Sequence, residues 1–282
     1  MRGGVDVKSI SGNAHIGSNV EIGEGVVIED NVIIKDDVKI GHYTIIHENT
    51  EIGRGSFIGN HVILGERLAP FYNDPKSYQN PKLVLGEKCI IRSKSVLYAG
   101  SRFGDNFQTG CHVSIRERNT FGKACMFGTM CQTECDVTVG DFTRMVNSVE
   151  IGKNAKIGSY VWIYAFALLA DDLHPPCGRC QRTATIEDYA IIGPHSVIMP
   201  KLTIGRGALV GAHSLVTKDV PADVLVMGSP ARIIQSTHDI QCKEKEARKP
   251  YPWIENIKDY KQKVSRYHYE LNRTVGKRAS GG

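Results

Sequence analysis

The chain has 282 residues, of which 41% are apolar and only 7% aromatic, with 29 glycines and a formal net charge of +5. This length can bury a substantial core, and many glycines with few large rings suit small branched side chains and tight corners, which disfavours a helical bundle. The modest charge, without basic runs and interleaved aromatic residues, gives no indication of a nucleic-acid partner.

The amino terminus, MRGGVDVKSI, lacks the apolar stretch of a secretory signal, and no segment reaches the length of a membrane span. We therefore expect a cytoplasmic protein with no membrane partner. The chain has eight cysteines, which at this length and without a signal peptide indicate core thiols, a metal site or reactive groups rather than a disulfide framework.

A period of six residues begins at Ile10. An aliphatic residue occupies each sixth position, and a small or β-branched residue follows four places later. The aliphatic series runs through Ile16, Ile22, Ile28, Ile34, Ile40, Ile46, Ile52, Ile58 and Leu64. This period is neither helical nor a simple two-residue alternation, and it indicates a parallel β-helix in which each hexad supplies one short strand and one corner.

Two segments interrupt the period. Residues 65–84 contain three prolines, and because the same period resumes at Leu85 we interpret them as an excursion loop rather than a linker. The second block ends at Leu169, and residues 170–185 form the second loop. The third block runs from Ile186 to Val216.

The second loop concentrates reactive side chains. Its sequence from Ala170 to Arg182, ADDLHPPCGRCQR, contains two carboxylates, a histidine and two cysteines. Loops on a rigid scaffold often carry function, and we predict that this is the working loop. We divide the chain into a β-helix over residues 1–232 and a C-terminal extension over 233–282, which is partly helical because apolar residues recur at three and four places from Trp253.

The phase of the hexads sorts the remaining candidates. Cys89, Cys125 and Cys131 fall on inward positions and are expected in the core, whereas Cys111 and Cys135 fall on outward ones. His112 and Asn147 are outward on one stacked face and can line a groove. His195 and His213 occupy equivalent positions one coil apart, where we expect a surface or subunit contact.

The closing segment from Ile191 to Ile234, with VTKDVP and GSPAR, resembles the last coils of the hexapeptide acyltransferases, especially acetyl-CoA-dependent enzymes that modify sugars. Over residues 10–221 the chain is similar to the left-handed parallel β-helix family. The resemblance implies an all-β, left-handed parallel β-helix of about ten coils, with two excursion loops, a C-terminal α-helical extension and assembly as a homotrimer.

The resemblance also implies site residues. Acetyl-CoA is expected to contact Ala212, Thr217, Lys218 and Arg232, and His174 takes the place of the family's general base. Histidine suits that task because its proton equilibrium lies near neutrality. The middle block is similar to enzymes that acetylate amino sugars carried on nucleotides, so the expected partners are such a sugar and acetyl-CoA.

Asp171 or Asp172 can orient the ring of His174 and select its tautomer. If His174 is not the base, His112 is the next candidate, with Asn147 on the same face. The chain departs from the family pattern at Pro194, Lys201 and His213, which makes a non-catalytic β-helix scaffold an alternative.

Two metal-binding hypotheses compete with this one. His174, Cys177 and Cys180 have a spacing compatible with zinc, and a zinc ligand cannot also be a free base. A γ-type carbonic anhydrase would hold zinc between subunits, and His42 and His47 have a matching separation, although His15, in a regular hexad, is a doubtful third ligand.

Overall fold

The computed structural model describes residues 9–174 and 181–241. Strands of mostly two residues alternate with short corners, and as far as Val197–Ile198 each strand pairs in parallel with the strand three places later in the chain. Three hexads therefore complete one triangular coil, and successive coils stack at about 4.8 Å. The predicted fold class, an all-β parallel β-helix, is confirmed.

The three faces of the triangular solenoid are three sheets. Sheet A consists of Ser9–Ile10, Val27–Ile28, Ile45–Ile46, Ile63–Glu66, Val96–Tyr98, Ser114–Ile115, Gln132–Thr133, Glu150–Ile151, Leu168–Leu169, Val197–Ile198 and Leu215–Val216. Sheet B consists of His15–Ile16, Ile33–Ile34, Thr50–Ile52, Leu83–Leu85, Arg102–Phe103, Thr120–Phe121, Thr138–Val139, Lys156–Ile157, Thr185–Ile186 and Thr203–Ile204.

Sheet C consists of Glu21–Ile22, Lys39–Ile40, Phe57–Ile58, Ile90–Ile91, Gln108–Thr109, Met126–Phe127, Arg144–Met145, Trp162–Ile163, Ile191–Ile192, Leu209–Val210, Val224–Gly228 and Ala231–Ser236. The sheets contain 11, 10 and 12 strands, so the solenoid has slightly more coils than the ten predicted. The corners that join consecutive faces form three edges, which we call the A–B, B–C and C–A edges.

The core follows the predicted phase. The last residue of each strand points inward, and in the second block four phenylalanines pack together, with ring centroids of Phe103 and Phe107 4.6 Å apart and those of Phe107 and Phe121 5.1 Å apart. Ile10 and Ile16 are 40% and 39% exposed because, among the described residues, only one side of the first coil is covered by another coil.

The corners repeat two devices. The third residue after each inward side chain adopts a left-handed backbone conformation, as at Tyr43 with φ 55° and Phe166 with φ 60°. The second residue often accepts a hydrogen bond from the backbone N–H of the equivalent residue one coil earlier, as Asp141 does from Lys123 at 2.8 Å. Asp, Asn and Ser at this position therefore hold consecutive coils together.

The chain has two short helices in its described part. Ala69–Asn73 is an α-helix in the first excursion, and Thr237–Asp239 is a 3-10 helix. Val224–Gly228 and Ala231–Ser236 form an antiparallel hairpin, and the second of these strands crosses the expected domain boundary at residue 232. The predicted helix that begins at Trp253 lies outside the described residues. No helix in residues 9–174 and 181–241 has the length and apolarity that a membrane crossing requires.

Candidate functional site at the A–B edge

Both interruptions of the repeat leave the solenoid at the same edge. The first excursion joins Ile63–Glu66 of sheet A to Leu83–Leu85 of sheet B, and the second joins Leu168–Leu169 of sheet A to Thr185–Ile186 of sheet B. They are therefore slightly shorter than predicted, at residues 67–82 and 170–184. Five coils separate them along sheet A, a distance of about 24 Å at the usual strand spacing.

A polar groove occupies the A–B edge between the excursions, directly beside the second one. It has a volume of about 400 Å³, and we call it the edge groove. Its charged lining residues are Arg116, Glu117, Glu134, Glu150, Lys153 and Asp171. Gln181, on the returning arm of the second excursion, also lines it, so the working loop predicted from sequence forms one wall.

Two arginines of the edge groove region are neutralised by neighbouring carboxylates. Arg116 Nε donates to Glu117 Oε2 at 2.9 Å, and its guanidinium lies 5.2 Å from the ring centroid of Tyr98. Burial acts to raise the pKa of Glu117, but the Arg116 guanidinium, the residue's own backbone N–H and the charge of Arg118 together outweigh it, so that the pKa is lowered. Two residues further along the same corner, Arg118 donates to both Asp136 oxygens at 2.7 Å.

A buried asparagine supports this part of the groove from inside the solenoid. Asn119 is fully buried at an inward position, and its amide nitrogen donates to the carbonyl oxygens of Arg116 and Glu134 at 3.0 Å each and to Thr133 Oγ1 at 2.7 Å. Its Oδ1 accepts from the N–H of Val137 at 2.6 Å. Asn119 therefore fixes the backbone of two lining residues.

The carboxylates near His174 bind backbone groups rather than its ring. Asp172 Oδ1 accepts from the backbone N–H of His174 at 2.8 Å, and Asp171 Oδ2 accepts from the N–H of Lys153 at 3.3 Å. Asp171 thus occupies the structural corner position described above. His174 is exposed, and orientation of its ring by either aspartate stays a prediction.

The structure places His112 and Asn147 on the C–A edge, away from both excursions. His112 is a corner residue with φ 55°, and Asn147 Oδ1 accepts from the N–H of Thr129 at 3.1 Å in the repeat-wide corner bond. The two residues share an edge, as predicted. His195 and His213 stack on that edge with ring centroids 4.8 Å apart and Phe166 beneath them.

The expected coenzyme contacts surround the end of the solenoid. Ala212 and Thr217 flank the strand Leu215–Val216, the last strand of sheet A, and Lys218 follows on the A–B edge. Thr217 and Lys218 are exposed and lie two coils beyond the second excursion. Arg232, also exposed, lies in the terminal hairpin, whose Gly228 N–H donates to Ser214 Oγ at 3.2 Å near Ala212.

The proposed metal sites do not form within the described residues. Cys177 and Cys180 lie outside them, so the zinc hypothesis for His174 stays a prediction. His42 Nδ1 accepts from the N–H of Glu24 at 3.0 Å on the C–A edge, whereas His47 lies on the A–B edge. Residues 9–174 and 181–241 contain no group of three metal-ligating side chains.

The cysteines follow their predicted phase with one exception. Cys89, Cys125 and Cys131 are buried, and burial raises the pKa of the Cys89 and Cys125 thiols to about 12. Cys135 was expected to face outward, but it is only 6% exposed. It lies in the wall of the edge groove, where burial and the hydrogen-bonded Asp136 carboxylate raise the pKa of its thiol.

An ionic cluster at the foot of the first excursion was not predicted. His47 is buried, with Nδ1 3.1 Å from Glu29 Oε2 and Nε2 3.9 Å from Glu66 Oε2. Arg67 Nη2 lies 2.9 Å from both oxygens of Glu29. Gly65, at φ 75°, creates a register shift that turns Glu66 towards His47.

A second depression, of about 460 Å³, lies on sheet B at the ends of the strands nearest the B–C edge. Its carboxylates already serve the backbone, since Glu187 accepts from the N–H of Arg206 at 2.9 Å and Asp188 from that of Ser159 at 2.7 Å. The edge groove, with both excursions on its edge, is the better candidate for a functional site.

Comparisons with known proteins agree with the repeat. The family model "Bacterial transferase hexapeptide (six repeats)" matches residues 31–66 and 183–218. Among curated proteins, the chain is 38% identical over 95 residues to the 2,3,4,5-tetrahydropyridine-2,6-dicarboxylate N-acetyltransferase of Staphylococcus aureus (strain JH9), covering 34% of this chain and 36% of that protein. The chain thus matches about a third of the length of this relative.

Two solved structures are also similar. A UDP-N-acetylglucosamine acyltransferase from Campylobacter jejuni has a TM-score of 0.44 and 16% identity, covering 94% of this chain and 81% of that one. A hexapeptide-repeat containing acetyltransferase from Vibrio cholerae has a TM-score of 0.36 and 28% identity, covering 47% and 72%. The family model matches two segments that include parts of the first and third blocks of hexads, and the triangular coils of the solenoid agree with such a repeat.

Proposed function

We propose that this protein is an acyltransferase that moves an acetyl group from acetyl-CoA to the amine of an amino sugar, carried on a nucleotide. The observation that carries the proposal is the shared edge: both excursions, the edge groove, and Thr217 with Lys218 lie along one edge of the solenoid. A coenzyme held at Thr217 and Lys218 would have its anchor about 10 Å from the second excursion at the usual coil spacing.

The reaction needs one base and one oxyanion site. The acceptor nitrogen attacks the thioester carbonyl, its proton passes to His174, and the C–S bond breaks. The protonated His174 then gives this proton to the leaving thiolate, which releases free coenzyme A and restores the base. Backbone N–H groups at corners beside the groove are suited to stabilise the developing oxyanion. His174 is exposed at the start of the excursion, where an acceptor in the edge groove can reach it.

The charges of the groove favour an amine acceptor. Glu134 and Glu150 are exposed carboxylates on consecutive coils, and Glu150 has no ion-pair partner among the described residues. They offer a site for an ammonium group before it loses its proton. The 38% identity to an N-acetyltransferase over 95 residues supports transfer to nitrogen.

The proposal includes a homotrimer. Outward residues of sheets A and C are largely apolar, whereas those of sheet B are mostly polar, with Ile33 and Val84 as exceptions. Examples are Ile45, Val96 and Leu168 on A, Phe57, Trp162 and Leu209 on C, and Arg102, Thr138 and Lys156 on B. The C–A edge between the apolar faces carries Met130 and Phe166, which are 61% and 57% exposed. A ring in which sheet A of one subunit meets sheet C of the next covers both faces.

A thiol-release assay with acetyl-CoA and a panel of nucleotide-linked amino sugars tests the proposal. We expect release of coenzyme A with at least one acceptor of the panel. We also expect acetyl-CoA to raise the melting temperature of the wild-type protein, and to raise that of Lys218→Met by less. Lys201→Met, on the same edge one coil nearer the excursion, is the matched control for loss of charge. No thiol release with any amine and no stabilisation by acetyl-CoA would refute the transferase.

Zinc analysis separates the competing role of His174. A free base requires that native protein and His174→Ala contain equally little zinc. Stoichiometric zinc in the native protein that is lost in His174→Ala would instead make the residue a ligand and require another base.

A further inference from the structure

One cation of the edge groove, Lys153, interacts with Asp136 beyond ion-pair distance and has no ion-pair partner among the described residues. The guanidinium of Arg116 is paired with Glu117, and that of Arg118 with Asp136. Lys153 is half-buried in the same lining, yet no carboxylate among residues 9–174 and 181–241 forms an ion pair with it. A partly desolvated cation in a concave polar site attracts an anion more strongly than an exposed one.

The backbone of Lys153 is fixed while its ammonium group stays available. Its N–H donates to Asp171 at 3.3 Å, and its carbonyl oxygen accepts from Thr183 Oγ1 at 2.9 Å. Its Nζ donates to the neutral Gln181 Oε1 at a long 3.4 Å. An ammonium group has three N–H donors, so this contact leaves two of them available to bind a ligand.

The opposite charge lies on the neighbouring wall. Glu150 lies three residues before Lys153 on the same coil. Glu134 lies on the preceding coil, where its Oε2 is 3.8 Å from Arg116 Nη1. The groove therefore places the Lys153 ammonium group beside two carboxylates, of which Glu134 pairs with Arg116 at 3.8 Å and Glu150 has no ion-pair partner among the described residues. This arrangement complements a molecule that carries both an amine and an anionic group.

We propose that Lys153 binds the anionic group of the acceptor, so that the groove selects amines that also carry a phosphate or a carboxylate. This inference rests on the proposed function and assigns the acceptor's anchoring residue at that site. In both cases an oxyanion of the acceptor binds the ammonium group of Lys153. This oxyanion is either the diphosphate of a nucleotide-linked sugar or the carboxylate of an amino acid.

The test compares Lys153→Met, Lys153→Arg and Lys123→Met. Lys123 occupies the same repeat position on the B–C edge, with its N–H bound by Asp141 as that of Lys153 is by Asp171. Three acceptors are used: a uridine-diphosphate-linked amino sugar, 2-aminopimelate as an amino dicarboxylate, and glucosamine, which has no anionic group.

We expect Lys153→Met to raise the KM for the preferred anionic acceptor about tenfold or more, with KM for acetyl-CoA and kcat nearly unchanged. Lys153→Arg should restore most of the loss, and Lys123→Met should resemble wild type. The anionic acceptor with the larger loss identifies the source of the anion. Glucosamine should be a poor acceptor for every variant, with no dependence on Lys153.

A purely structural role gives a different result. If Lys153 only tethers Gln181, the variant would lower kcat and melting temperature with all acceptors alike, and that outcome overturns the inference. So does an unchanged KM in Lys153→Met. If wild type releases no thiol with any acceptor, the proposed function fails, but the rise in melting temperature produced by each anionic compound still tests Lys153: the inference requires a rise in wild type that Lys153→Met loses.

Discussion

The A–B and C–A edges are built from the same hexads yet differ in almost every outward property. The A–B edge is interrupted twice, holds the edge groove and carries ion pairs such as Arg118 with Asp136. The C–A edge has no excursion in its described part and stacks rings directly, as in His195 on His213. One repeat can therefore dedicate one edge to chemistry and another to packing.

Glycine shows what both edges share. A Cβ on Gly128 at the C–A edge would lie 2.6 Å from the carbonyl carbon of Val146 in the next coil, and one on Gly152 at the A–B edge would lie 2.7 Å from the carbonyl oxygen of Leu169. A side chain at either position would push the coils apart. Because the backbone stacks so closely at such corners, variation is confined to outward side chains and to inserted loops. The difference between the two edges therefore lies in their outward side chains and their inserted loops.

The largest expected effect breaks the assembly at the C–A edge. Phe166→Asp places a charge where the apolar faces of the proposed trimer meet, and we expect dissociation to monomers with folding retained, because Phe166 is 57% exposed and aspartate tolerates a φ of 60°. Lys201→Asp makes the same replacement at the equivalent corner position of the A–B edge and should leave the trimer intact. Sedimentation equilibrium distinguishes the two, and a variant Phe166→Asp that remains trimeric would contradict this use of the edge.

The next effect compares inward residues of the two edges. Asn119→Leu leaves the Val137 N–H and two carbonyl groups without their partner, and we expect a loss of about 3 kcal/mol in the free energy of unfolding. Cys131→Ala alters the equivalent position at the C–A edge, where Sγ contacts Val146 O at 2.6 Å, and should cost about 1 kcal/mol. Urea denaturation measures both. Equal losses would mean that Asn119 is ordinary core filling.

The smallest effect concerns acid stability at the foot of the first excursion. Burial acts to raise the pKa of Glu29, but His47, the Glu48 N–H and Arg67 together lower it below its ordinary value of 4.5. A lowered carboxyl pKa contributes stability above the unfolded value that is lost as the pH falls through the folded one. The free energy of unfolding of wild type should therefore fall below pH 4.5. Glu29→Gln should have a lower free energy of unfolding at neutral pH and a smaller further decrease in acid.

Glu21→Gln is the control for that experiment, because the side chain of Glu21 is 68% exposed and pairs with Lys39 at 2.8 Å. Exposed pairs contribute little to stability, so its acid profile should follow that of wild type. Chemical denaturation between pH 3 and pH 7 gives both curves. If the free energy of unfolding falls equally steeply in acid for wild type and Glu29→Gln, the interactions of Glu29 are not the source of the acid sensitivity.

Much of the fold can be predicted from the period alone. Fifteen strands, from Leu83–Leu85 to Leu168–Leu169, separate the two excursions, and because fifteen is a multiple of three the hexad count already places both on one edge. The corner roles of Asn147 and Asp171 also have a sequence signal, since Asp, Asn or Ser recurs at the second place after the inward residue, as at Asp36 and Asp141.

The groove itself has no such signal. Arg116 and Arg118 form ion pairs with carboxylates, whereas Lys153 forms none among the described residues. This difference depends on the directions of side chains at the corners, and the period of the sequence determines only the backbone. The burial of Cys135 likewise has no signal in its phase, which places it at an outward position. Sequence can assign such residues to an edge but not to a shared cavity.

The central claim is that catalysis belongs to the A–B edge, and a paired rate measurement tests it most directly. His174 lies on that edge and His112 on the C–A edge. In the thiol-release assay at saturating acetyl-CoA, His174→Ala should lose about 10² to 10⁴ in kcat, while His112→Ala stays within about twofold of wild type. A full rate in His174→Ala together with a large loss in His112→Ala would place the chemistry on the C–A edge and contradict the account.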